Sequence, residues 1–469
     1  MQKLTRRSFT LGSIASCMGA AAHAFAGEKA GASCDYRPPN LILLLADDYR
    51  WDCLGCMGNG IIQTPNLDAM AGEGVLFENA YVTTSICAPS RATIFSGQYV
   101  CRHGINNFNT SFTPAQLDDT YPARLRASGY TTGFIGKYGV GERMPEQAFD
   151  YWRGFGGQGH YEQKDGRGEY RHLTGLQQDQ ALEFLETAGS REPFCLSVSF
   201  KAPHCQDGDP RQFIYDPVYE SLYRDTQIPQ PEYLRDNYLE RFPDFFRHDN
   251  EARRRWKLRF SSPELFQEMV KSYYRLITGI DDAVGAIRKK LAETALDDNT
   301  IVLFTADNGF FLGDHGLAGK WFGYEASIRV PFIVFDPRLP EERHGARLSH
   351  IVLNVDIAPS LLGLAGIVPP NAMQGRDITP LLQGKDISWR KDFFYEHTFE
   401  HPGIPKSEGV ISAEYKYLRY IDQNPAHEEL FDLRSDRHET INLASDPERR
   451  DLLDKMRLRY SELKNAVCQ

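Results

Sequence analysis

The chain has 469 residues, 41% of them hydrophobic and 25% charged, with 53 basic against 63 acidic side chains and a net charge of −10. That length can bury a large core and is long for one domain, and the composition is that of a soluble globular protein. With an acidic balance and no long basic run, nucleic acid is not an expected partner, and an anionic ligand has to be met by a local basic pocket.

Residues 1–26 read as an export label. Lys3 and Arg6-Arg7 precede an apolar run that ends in Ala24-Phe25-Ala26, a small-x-small cleavage pattern, and the run is too short to span a bilayer, so no transmembrane segment is expected in the mature chain. Thr5 to Phe9 has the form of a twin-arginine signal, which implies a bacterial protein exported to the periplasm or beyond. The alternative is a lipoprotein box, Ile14 to Cys17, with a lipid anchor at Cys17.

From Pro39 the pattern is α/β. Asn40 to Ala46 is a continuous apolar run, as in a strand buried on both faces of a parallel sheet, and it ends in Asp47-Asp48. A helix is expected over Thr64–Gly74 and a strand over Val75–Val82. Cys87-Ala88-Pro89-Ser90-Arg91 then opens a helix, which places the Cys87 sulfur near a helix N-terminus with Arg91 one turn on. Helices follow at Tyr121–Ser128, Thr174–Ala188 and Pro263–Thr294, and strands at Thr131–Ile135, Phe194–Phe200 and Thr300–Thr305. The alternation predicts a doubly wound, mostly parallel sheet flanked by helices.

Polar residues fall just past the strand ends, where α/β sheets hold ligands. They are Asp47-Asp48, Lys137, Lys201 and His204, and Asp307-Asn308 with Lys320 further along. Two pairs of hard oxygen donors point to a divalent cation, calcium ahead of magnesium, and the lysines, Arg91 and His204 describe an anion pocket with an acid-base group. Gly154 to Gly168 looks like a flexible rim loop. Cys205 to Ser262, dense in aromatics, reads either as a lid or sugar-binding wall or as a helical cap packed on its own rings. Past Gly384 short antiparallel strands and a closing helix are expected, a smaller C-terminal unit over 385–469 beside a main unit over 27–384. The nine cysteines show no disulfide framework, and Cys53-Leu54-Gly55-Cys56 lacks the second ligand pair of a zinc site.

Cys-x-Pro-Ser-Arg, followed after five residues by Gly97, resembles the signature of type I sulfatases, in the alkaline phosphatase-like superfamily. The resemblance runs from about Pro39 to Leu443. It implies oxidation of Cys87 to formylglycine by a maturating enzyme, and a metal held by Asp47, Asp48, Cys87, Asp307 and Asn308. It further implies that Arg91, Lys137 and Lys320 surround the formylglycine and the sulfate, and that His204 serves the leaving group. One oxygen of the formylglycine hydrate would attack sulfur, and the other would later expel sulfate. One departure stands out: many sulfatases have Lys-Trp-His where this chain has Lys137-Tyr138-Gly139, which leaves a base unassigned, with His160, His172 and His315 as candidates. Glu396, His397 and His401, on a loop returning from the C-terminal unit, are assigned to substrate choice.

The function expected from these features is hydrolysis of a sulfate monoester on a sulfated saccharide. A phosphate or phosphonate ester hydrolase on the same scaffold and a non-catalytic binder of sulfated glycans are the alternatives.

Overall fold

The computed structural model describes residues 37–188, 193–230, 232–234, 236–248 and 250–469. The export label and the alternative anchor at Cys17 lie outside the described residues.

The main sheet is built from β1 (Asn40–Asp47), β2 (Val75–Tyr81), β3 (Thr131–Lys137), β4 (Tyr151–Phe155), β5 (Phe194–Pro203), β6 (Thr300–Ala306), β7 (Phe332–Phe335) and β8 (Ala346–Leu353). The spatial order is β8-β2-β7-β6-β1-β5-β3-β4. β1 runs parallel to both neighbours, β5 and β6, and all eight of its residues are buried, which is why it reads as an unbroken apolar run. The expected doubly wound, mostly parallel sheet is present, with one strand reversed: β7 is antiparallel to β2 and β6. Four residues give β7 too little pattern to be recognised.

Four helices matter for the site: α1 (Cys87–Ser96), α2 (Leu173–Ala188), α3 (Glu251–Arg259) and α4 (Pro263–Glu293). α4 starts cleanly because the Ser262 side chain accepts from Leu265 N–H at 3.2 Å and Pro263 occupies the first turn, where its missing N–H costs nothing. Its apolar stripe, including Phe266, Tyr273, Ile277, Ile280 and Val284, is buried, and the helix packs on α2 and β5.

A second sheet of four consecutive antiparallel strands, β9 (Asp392–His397), β10 (Ser407–Ser412), β11 (Tyr415–Tyr420) and β12 (His427–Asp432), is covered by α5 (Arg450–Cys468). Residues Pro38–Gln469 form one compact unit containing both sheets. The insertion between β5 and α4 is mostly short turns plus α3, and part of its aromatic content caps the C-terminal sheet. The Phe246 ring lies 4.8 Å from Phe322 and packs edge-on against Tyr420 at 5.2 Å, and Phe245 lies 5.3 Å from Tyr420.

One expectation needs correction. Cys101 and Cys468 form a disulfide across 367 residues of sequence. Spacing could not reveal it, because the pair meets only after α5 has docked beside the segment that follows α1.

Candidate active site

Strand register brings the two acidic pairs together. Ala46 of β1 is opposite Ala306 of β6, so Asp47-Asp48 and Asp307-Asn308 leave the sheet side by side. Asp48 has a positive φ of 63°, a sparsely populated conformation for a non-glycine residue. It is pinned there: its N–H donates to Asp307 Oδ1 at 3.2 Å and its carbonyl accepts from Tyr273 Oη of α4 at 2.6 Å. On the other side β5 pairs Pro203 with Asp47 and delivers His204, while β3 ends in Lys137. Cys87 begins α1 and is 1% exposed. This is the carboxyl edge of a parallel sheet, where such folds place ligands.

Three carboxylates face three cations. Arg91 is fully buried and its guanidinium donates to Asp307 Oδ2 at 2.8 Å, Asp47 Oδ2 at 3.2 Å, the Lys137 carbonyl at 2.6 Å and Ser199 Oγ. With its donors so used, Arg91 orients the acidic residues. Lys137 Nζ pairs with Asp47 and with Gln158 Oε1 at 2.7 Å, and Lys320 Nζ pairs with Asp48 and lies 2.7 Å from Cys87 Sγ. Burial opposes ionisation of Asp47, but Lys137, His204, Arg91 and Lys320 hold its carboxyl well below the usual range. Burial pushes Asp48 up to about 6, opposed by Lys320 and aided by Asp47 and Asp307. Burial and Asp47 push the Cys87 thiol up to about 12 against Lys137 and Lys320. The thiol is therefore neutral and a poor nucleophile as encoded.

His204 is also neutral, because burial and the neighbouring Lys320 depress its pKa. Its Nδ1 lies 2.6 Å from the Cys205 carbonyl, which fixes Nδ1 as the protonated nitrogen, and Nε2 faces Asp48 Oδ2 at 3.5 Å. Tyr161 Oη holds the His204 carbonyl at 2.6 Å, and Lys201 sits 4.8 Å over the Tyr161 ring.

The donor set suits a hard divalent cation. Ligand atoms of Asp47, Asp48, Cys87 and His204 lie within 4.8 Å of one another. Asn308 Nδ2 donates to Asp48 Oδ1 at 2.6 Å, while its buried Oδ1 has no hydrogen-bond partner among the described residues. A buried carbonyl oxygen left over beside three carboxylates is what an oxygen-seeking cation requires. Adding two positive charges to a cluster whose carboxylates and cations otherwise balance leaves a surplus that an anionic substrate would meet.

The remaining sequence candidates are placed elsewhere. His160 is exposed, His172 stacks on Tyr161 at 5.0 Å and binds the Ile214 carbonyl, and His315 packs 5.1 Å from Tyr324; none of these three contacts Cys87. Gly139, where many sulfatases have a histidine, has φ +72°, and a Cβ there would come 2.7 Å from Arg91 Cδ. The space is taken by the Arg91 side chain. His397 is completely buried, and its ring nitrogens have no partner among the described residues. Glu396 is buried too and accepts from Cys101 N–H. His401 lies at the surface, in a groove beside α3. Sequence reasoning passed over Gln158 and Ser199. Gln158 lies in the Gly-rich loop already suspected as a rim, and nothing marks Ser199 within an apolar strand.

Comparison with known proteins agrees with this geometry. The sulfatase family model matches residues 39–367, and a second model, that of the N-sulphoglucosamine sulphohydrolase C-terminal region, matches residues 313–466. An N-acetylglucosamine-6-O-sulfatase of Bacteroides thetaiotaomicron is 27% identical over 86% of this chain and 82% of its own length. An arylsulfatase of Clostridium perfringens is 29% identical over 89% and 93%. A solved structure in complex with its substrate D-glucosamine-2-N,6-O-disulfate superposes with a TM-score of 0.77 at 25% identity, covering 92% of this chain and 98% of the other. A sheet edge that gathers the Cys87 signature, both acidic pairs and their three cations, inside a match covering most of the chain, makes this protein a member of the sulfatase family, the sulfuric ester hydrolases of the alkaline phosphatase-like superfamily.

Proposed function

We propose that the protein hydrolyses a sulfate monoester on a sulfated saccharide, with Cys87 matured to formylglycine and calcium as the cation. The observation that carries this reading is Cys87 Sγ, 2.7 Å from Lys320 Nζ and 3.4 Å from Asp47 Oδ1, beside the unpartnered Asn308 Oδ1. The substrate class is supported by relatives named as N-acetylglucosamine-6-sulfatases of goat and human, and by the neighbour bound to a glucosamine disulfate.

Asp47, Asp48, Asp307 and Asn308 would hold the cation next to residue 87, where the two groups together supply positive charge and an activated oxygen nucleophile. The chain's own residues do the rest. Arg91 fixes Asp47 and Asp307 in place. Lys320 Nζ lies against the residue 87 sulfur and Lys137 Nζ is shared between Asp47 and Gln158; both would stabilise the charge that grows on a sulfuryl group at residue 87 in the transition state. His204 is held by the Cys205 carbonyl with its unprotonated Nε2 toward the same space, and once Nε2 has taken up a proton it can pass that proton to the departing sugar oxygen. Binding of an anionic substrate raises the affinity of that nitrogen for its proton, opposing the effect of Lys320.

The 1% exposure of Cys87 means that a maturating enzyme has to reach the thiol before the chain closes over it. Export from the cytoplasm completes the reading. It is supported by the Cys101–Cys468 disulfide, a bond that persists in oxidising compartments. None of the described helices is long and apolar enough to cross a membrane.

The test is sulfate release from sulfated mono- and oligosaccharides by calcium-loaded protein whose Cys87 peptide has the mass of the aldehyde, with Cys87→Ala as control. Release that vanishes in the control supports the proposal. Phosphate release from phosphoesters in preference to sulfate, or no release despite confirmed aldehyde, overturns it.

A further inference from the structure

α3 has two working sides. One carries Glu251, Arg255 and Arg259, spaced four residues apart and therefore on one face, and it adjoins the catalytic residues. Arg255 pairs with Asp207 at 2.8 Å and lies 5.2 Å from the ring of Trp321, next to Lys320. Arg259 reaches Cys205 Sγ at 2.9 Å, next to His204. The other side, with the loop 401–403 of the C-terminal region, forms a groove of about 650 Å³. The loop is tied to the helix by Glu251 N–H, which donates to the Gly403 carbonyl at 2.8 Å.

The groove is cationic in a protein whose net charge is −10. Its walls carry Arg247, Arg253, Arg254, Lys257 and His401. Among the described residues of the lining Glu251 is the one carboxylate, and it is already shared between Arg254 and Arg255. Arg247 pairs with Asp244, and Arg253 donates to the Gly316 carbonyl at 3.1 Å and stacks on Trp256. The Arg254 side chain is 71% exposed even with its ion pair.

A second observation points to a ligand. Asn250, 3% exposed, uses Oδ1 to cap α3 through the N–H groups of Ala252 at 2.9 Å and Arg253 at 3.3 Å. Its Nδ2 is buried at the groove wall with no acceptor among the described residues. The N–H groups of the first turn of α3 are already taken by Gly403 and Asn250, but an unused amide donor beside a set of guanidinium forks suits an oxyanion.

We propose that this groove is a second anion site, which takes a sulfate or carboxylate group of a polyanionic saccharide whose scissile sulfate sits at residue 87. The inference rests on the sulfatase reading above and deepens it. A helix with side chains is about 10–12 Å across, so a chain wrapping α3 can engage both sides at once. The catalytic pocket then selects the ester to be cut, and the groove selects saccharides that carry further charge.

The test pairs turnover with direct binding. The double variant Arg254→Gln/Lys257→Gln changes two exposed side chains. It is assayed on a monosulfated monosaccharide, on an oligosaccharide bearing additional sulfates, and on one bearing only uronic carboxylates besides the scissile sulfate. The expected result is a KM about tenfold higher on one or both oligosaccharides, shrinking with added salt, and an unchanged kcat/KM on the monosaccharide. The oligosaccharide that responds identifies the anion. Equal losses on all three substrates, or none on any, overturn the proposal. Calorimetric titration of sucrose octasulfate into the wild-type protein and the double variant works without turnover. Binding weakened by the variant in a protein that cuts no ester keeps the groove and removes the sulfatase reading. Binding unaffected by the variant removes the groove.

Discussion

At the strand ends Asp47, Asp48 and Asp307 face Arg91, Lys137 and Lys320. Where the two sheets meet, Glu325 and Glu439 face Lys416 and Arg329. Both clusters are buried and built from the same kinds of residue, yet the second is closed on itself. Lys416 Nζ binds Glu325 Oε1 at 2.9 Å and Glu439 Oε1 at 2.5 Å, and Glu439 Oε2 accepts from Glu325 N–H at 2.8 Å. Tyr81 Oη and Arg329 Nη1 take Glu325 Oε2 at 3.3 and 3.4 Å. The strand-end cluster is open: Asn308 Oδ1 is unpartnered among the described residues, and Lys320 rests on a sulfur. A closed cluster fixes how two sheets sit together, whereas an open one keeps binding capacity in reserve for a ligand.

Four perturbations and a pH titration sharpen the contrast. Cys87→Ala, in the open cluster, is expected to lower kcat on a sulfate ester by about 10⁴ or more, while chemical denaturation shows a stability change of only about 1 kcal/mol. Lys416→Met should invert this pattern. Removing the cation leaves two buried carboxylates facing each other and costs about 3–5 kcal/mol, with kcat per folded molecule unchanged; a tenfold loss in kcat would show that the clusters are coupled. Chelation touches only the open cluster. It should remove about 2.7 kcal/mol of stability from protein held at a hundredfold excess of the divalent cation over its Kd, and the same amount in Lys416→Met as in the unaltered chain. Gly139→Ala introduces a Cβ 2.7 Å from Arg91 Cδ at a φ of +72°. It should cost about 1–3 kcal/mol and lower kcat/KM, because Arg91 holds Asp47 and Asp307.

The pH titration concerns His397, which belongs to neither cluster and whose pKa burial lowers to about 3. Its folded-state pKa lies below the ordinary value near 6.5, so the unfolded chain takes up the proton first. The stability this neutral ring contributes is present above pH 6.5 and is lost as pH falls toward 3, with a slope of about 1.4 kcal/mol per pH unit at most. Denaturation midpoints of the protein and of His397→Gln across that window should differ in slope, and equal slopes would show that the ring is protonated in the folded protein.

The open cluster was far more legible in sequence than the closed one. Asp47-Asp48 and Asp307-Asn308 each terminate an apolar strand, and Cys87 to Arg91 carries a signature, so local pattern marked them. Glu325, Lys416 and Glu439 lie far apart in the chain, inside segments whose alternation shows only burial, and their pairing depends on how β11 meets the main domain. The disulfide was hidden for the same reason. His397, expected on a loop returning toward the main domain, instead ends β9 and is completely buried, which residue type alone does not reveal. Gln158 was invisible individually, since a Gly-rich loop says that a rim exists and not which side chain reaches inward.

The register of β1 against β6 has a consequence for quality control during folding. Both acidic pairs lie next to the one pairing of Ala46 with Ala306. A slip of one residue between these strands would leave most of the apolar contacts in place, because both strands are greasy on each face, but it would send Asp307 to the opposite side of the sheet from Asp47. Hydrophobic burial alone cannot detect that error. The charges can, because Arg91 would lose one of the two carboxylates it spans, and a misaligned chain would carry an unpaired buried ion. The residues gathered at the candidate site thus also act as the alignment mark for the central strands.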